Sequence, residues 1–128
     1  MPITCEWDNA AHTVIRWTYA SLWTIDDLLA ADAIMNDLLE SVDHPVGVLF
    51  TVMEDSELPK GILGRFNQFA DTSGLSHPNV AMMIIVGLTG LPRRMADIFS
   101  KLYRHRDIVV VDSVDEAYDL FKERHLLL

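Results

Sequence analysis

A chain of 128 residues, half of them hydrophobic and 23% charged, has the composition of one folded globular domain and not of a disordered or fibrous protein. Its formal net charge of −9 argues against nucleic-acid binding, because phosphate recognition draws on clustered Lys and Arg to release counterions. The single Cys5 has neither a disulfide partner nor the companions of a zinc site, and the acidic opening of the chain is no signal peptide, so a cytoplasmic location is expected.

Residues 3–7 and 13–19 are short runs rich in β-formers, separated by Asp8-Asn9-Ala10-Ala11-His12, whose Asp and Asn favour a turn. The chain is therefore expected to open with a β-hairpin. Thr24, with Asp27 three residues on, resembles a capping box, and Asp26 and Asp27 suit the positive end of a helix dipole. From there Leu28, Ala31, Met35, Leu38 and Val42 recur at three- and four-residue steps, widened by Ile25, Leu29 and Leu39. Asp32, Asn36, Asp37 and Glu40 are assigned to the wet face. Pro45 ends the helix, since the residue before a proline is biased toward extended conformations.

Residues 46–52 form an apolar strand that empties into an acidic turn, Met53-Glu54-Asp55-Ser56-Glu57. A helix over residues 58–70 is expected next, with Pro59 in its first turn, where the missing N–H costs nothing. Gly61 and Gly64 within it each cost about 1 kcal/mol against Ala, which close packing on the sheet would offset. Residues 80–86 are almost wholly apolar, the pattern of a strand covered on both faces, and are read as the sheet centre. Even extended to Leu88, that run is about half of what a membrane span requires. After Gly87-Leu88-Thr89-Gly90, Pro92 opens a helix with Leu91, Met95, Ile98 and Leu102 on its apolar side. Asp107 precedes a last strand over 108–111. Ser113 and Glu116 then form a capping box for a final helix carrying Ala117, Leu120 and Phe121. The order ββαβαβαβα describes a single α/β domain over residues 1–128, a mixed sheet with right-handed parallel crossovers and helices packed on it.

In open sheets of this kind, binding and regulatory sites gather beyond the carboxyl ends of the strands. Glu54, Asp55, Ser56, Glu57, Lys60, Thr89 and Ser113, in the loops 53–60, 87–91 and 112–113, are therefore the expected site residues. Catalytic signatures are missing: there is no Gly-x-Gly-x-x-Gly after the first strand, no phosphate loop ending in Gly-Lys-Ser and no Gly-x-Ser-x-Gly elbow. A response-regulator receiver is set aside because its first strand should lead to acidic metal ligands and a helix, not to a hairpin. His12, His44, His77, His105 and His125 stand far apart beside predicted turns, none with a nucleophile or second ligand at useful spacing. Glu54, Asp55 and Glu57 lack the glycine of a calcium loop. Neither metal nor cofactor is expected, and the chain reads as a binding domain rather than an enzyme.

The strand-to-helix junction and the order of elements resemble the STAS domain, the fold of bacterial anti-sigma-factor antagonists. They are more closely similar to its SpoIIAA-like branch, which is related to the CRAL-TRIO lipid-transfer fold. The topological likeness covers nearly the whole chain, and the sequence likeness is concentrated in residues 53–66. Antagonists carry an Asp-Ser-Ser-Gly-Leu-like turn before a helix resembling Ile-Leu-Gly-Arg, and their second serine accepts phosphate from a partner kinase. Here Asp55 and Ser56 match the first two positions, Glu57 stands at the phosphoacceptor place, and Ile62-Leu63-Gly64-Arg65 follows. Glu57 brings one permanent negative charge where phosphoserine would bring about −1.5 to −2. The resemblance implies a protein partner of the kinase or sigma-regulatory type. It makes Ser56 the candidate phosphoacceptor, with Lys60 or Arg65 to pair with the phosphate. The other reading of Ser56 is a hydroxyl capping the following helix.

Two further surfaces stand beside that loop. Trp17, Trp23, Phe66, Phe69, Met83 and Met95 offer soft apolar surface for a lipid-like ligand held between sheet and helices, which would make the protein a carrier or sensor. The same residues equally describe a packed core. Charge is unevenly placed: residues 1–59 hold eleven acids and one base, Arg16, whereas residues 60–106 hold seven bases and two acids. Arg93, Arg94, Lys101, Arg104 and Arg106 give a basic surface suited to an anionic membrane or an acidic protein. It also suits the acidic first helix of a second copy, in a homodimer that salt would weaken.

Overall fold

A computed structural model describes residues 3–20, 22–52, 77–87, 90–102 and 107–126. The opening hairpin joins β1 (Ile3–Trp7) to β2 (Val14–Tyr19) in antiparallel register, Ile3 opposite Tyr19. Asn9 builds its turn: Oδ1 accepts from the N–H groups of Thr13 at 3.0 Å and Val14 at 3.2 Å, while Nδ2 donates to Thr13 Oγ1 at 2.7 Å. His12 takes a φ of 57°, a left-handed conformation that His adopts more readily than most residues.

Four parallel strands continue the sheet: β2, β3 (Val46–Val52), β4 (Val80–Val86) and β5 (Asp107–Val111), in the spatial order β1-β2-β3-β4-β5. Three described helices accompany them: α1 (Ile25–Glu40), α2 (Leu91–Leu102) and α3 (Val114–Glu123). The helix expected over 58–70 lies outside the described residues. Because the order advances in one direction from β2 to β5, crossovers of one hand must fall on one face of the sheet. The packing agrees. Leu28, Ala31 and Met35 of α1 and Leu91, Met95 and Phe99 of α2 share one cluster with Trp17, Val48, Phe50, Met83 and Ile85. On the opposite face Ala117 and Phe121 of α3, with Leu126, cover Val14, Leu49, Met82 and Ile84.

Three sequence expectations change in detail. The central strand is β3, not β4. The run 80–86 is apolar because both of its faces are covered, and a strand one place from the edge meets that condition as well as a central one. Asp32, assigned to the wet face by its chemistry, is 8% exposed and stands on the buried stripe with Leu28, Met35 and Leu39. Its position follows the helical period from Leu28, and Asn36 Nδ2 lies 3.4 Å from its Oδ2. Phe99, four residues after Met95, joins the core at 1% exposed, while Ile98 is only half-buried.

The ends of α1 are tied on both sides. At its start the capping box is complete: Asp27 N–H donates to Thr24 Oγ1 at 3.2 Å and Thr24 N–H to Asp27 Oδ2 at 2.9 Å. Beyond its end, Asn79 Nδ2 donates to the carbonyls of Leu39 at 3.2 Å and Val42 at 3.1 Å, adding to the Val42 N–H that Leu39 O already accepts at 3.4 Å. His77 Nδ1 accepts from Asn79 N–H at 3.1 Å, which leaves the ring proton on Nε2 to be donated to Glu40 Oε1 at 3.0 Å.

Candidate functional site

Register places the carboxyl ends of the parallel strands in one row. Tyr19 is level with Val52, Phe50 with Ile85, and Val86 with Val111. At about 4.8 Å per strand, the rim from β2 to β5 is about 14 Å wide. From β2 the chain passes through Leu22, 86% exposed, to the buried Trp23 and the Thr24 cap. From β3 it enters residues 53–60. From β4 it turns through Gly87 and Gly90, and from β5 through Asp112 and Ser113. Gly87 is required where it stands: its φ is 123°, and an added Cβ would lie 2.7 Å from Pro92 Cγ. Its N–H donates to Val111 O at 2.7 Å, which fixes the β4–α2 turn against the end of β5.

Of the expected rim residues, Ser113 lies among the described ones; Glu54, Asp55, Ser56, Glu57, Lys60 and Thr89 lie outside them. Ser113 is a helix cap, its Oγ accepting from Glu116 N–H at 3.2 Å. The returning half of the box lands one residue early, because Glu116 Oε2 is 3.4 Å from Asp112 N–H. Both contacts hold the acidic first turn of α3, with Asp115 and Glu116, at the rim.

The four described apolar candidates lie in one core cluster. Trp17, Trp23, Met83 and Met95 all belong to the cluster under α1 and α2. Trp17 stacks on Tyr19 with ring centroids 5.9 Å apart and tilts on Phe50 at 5.6 Å, while its Nε1–H points at Met35 Sδ 3.0 Å away. Trp23 meets Tyr19 edge-on at 5.1 Å, and Phe50 meets Phe99 at 5.4 Å. These are the offset and edge-on geometries that aromatic side chains adopt when they fill an interior. Phe66 and Phe69 lie outside the described residues. On α2, Arg93, Arg94 and Lys101 are exposed, with Arg93 Nε 3.8 Å from Asp97 Oδ1; Arg104 and Arg106 are not among the described residues.

Two polar features away from the rim went unrecognised in the sequence. At the amino edge Tyr118 Oη donates to Asp8 Oδ1 at 3.0 Å, and Arg16 Nη1 is 3.6 Å from the same oxygen, so α3 is fastened to the hairpin across 110 residues of sequence. Burial first, then this hydrogen bond and the Asp8 charge, raise the Tyr118 phenol above its ordinary value. Sequence carries no local signal for such a pairing. Cys5 is buried, and its thiol is pushed up to about 12 by burial and then by the charges of Asp32 and Glu6. A thiol held in that state is a poor nucleophile and a poor metal ligand.

Among the described residues, no group of three or more His, Cys, Asp or Glu side chains is arranged to hold a metal ion, and no described helix is long and apolar enough to cross a membrane. Fold and rim together define an α/β protein with a five-stranded mixed sheet and a carboxyl edge built from loops. Comparison of the chain with protein-family models, curated proteins and solved structures returned no match.

Proposed function

We propose that the protein is a non-catalytic regulatory domain of STAS-like, SpoIIAA-like type, which recognises a protein partner of the kinase or sigma-regulatory kind through the loops at the carboxyl edge of its sheet. One observation carries this reading: β3, the central strand, ends at Val52 level with its neighbours and hands the chain directly to Met53-Glu54-Asp55-Ser56-Glu57. The sequence after Val52 is rich in carboxylates, and the described rim carries the exposed Leu22 after β2 and the Asp112-Ser113 turn after β5. Mixed apolar and charged surface of this sort is what transient protein interfaces use. Phosphate on Ser56 would add about −1.5 to −2 to it, enough to switch recognition by a basic partner.

The test compares the wild-type protein with a Glu54→Lys, Glu57→Lys variant, each used as bait in cells of origin, with bound proteins and lipids both quantified by mass spectrometry. A protein retained by the wild type and lost by the folded variant supports the reading. Equal retention by both refutes it, and stoichiometric lipid in place of protein transfers the function to the carrier alternative built on Trp17, Trp23, Phe66, Phe69, Met83 and Met95.

A further inference from the structure

We draw no further inference here: the strongest candidate, the outer side of α1 and of the turn before it, where Leu22 is 86% and Ile34 36% exposed beside the exposed Asp26 and Asp37, carries nothing, because nothing in the structure shows what covers it.

Discussion

Gly47 lies in β3 directly beneath α3. A Cβ built there stands 2.5 Å from Phe121 Cε1 and 2.8 Å from Cδ1, with Leu126 Cδ1 at 3.2 Å. Phe121 is fully buried, so its ring cannot swing into solvent. Gly47→Ala gains about 0.4–1 kcal/mol by restricting the unfolded chain. Against this, overpacking costs about 1–3 kcal/mol, and contacts well below 3 Å against a ring place the cost in the upper half of that range. The net expectation is destabilisation by about 1–2 kcal/mol. In urea, with a slope of about 1.5 kcal/mol per molar, the midpoint should fall by about 1 M with the slope unchanged. Phe121→Leu makes room, so in the Gly47→Ala background it should cost about 1 kcal/mol less than in the wild type. A midpoint unchanged or raised by Gly47→Ala, or strict additivity of the pair, would show that α3 does not press on β3 at this point.

Asn79→Ala removes two hydrogen bonds to the end of α1 and should cost about 1–2 kcal/mol, seen as a lower thermal midpoint; an unchanged midpoint would mean that water replaces the amide without loss. Thr24→Ala should cost about 1 kcal/mol through the lost cap, and Thr24→Ser should restore most of it. Tyr118→Phe should cost about 1 kcal/mol at neutral pH. The folded state raises the Tyr118 pKa above 10, so its contribution is complete below that pH and is lost as pH rises through the folded value. The gap between wild type and Tyr118→Phe should therefore narrow above pH 10, and a constant gap from pH 8 to 11 would contradict the assignment. Cys5, with its thiol near 12, should resist iodoacetamide at pH 8 in the native protein and react in urea; rapid native labelling would place it at the surface.

Local chemistry was legible wherever the interacting groups are neighbours in sequence. Asn9 in the hairpin turn, Thr24 with Asp27, and Ser113 with the N–H of Glu116 all act over three to five residues, and the structure forms each of these contacts. Asp32 shows where a chemical rule and a geometric one conflict: hydrophilicity assigned it to water, and the helical period, which holds whatever the side chain, put it on the buried stripe. Of the candidate site, the acidic turn expected after β3 lies outside the described residues, and the Ser113 cap is seen at the rim. The exposed Leu22 was passed over, because exposure of a single apolar residue has no sequence signature.

Residue periodicity, caps and turn formers are short-range properties, and they determined the strands, the described helices and the hairpin of this chain. Which strand lies at the centre and which face each described helix covers depend on pairings between residues far apart in sequence, such as Gly47 with Phe121, Asp8 with Tyr118 and Asn79 with Leu39. Those pairings are selected by the shared burial of both partners, a quantity that exists only once the sheet is assembled.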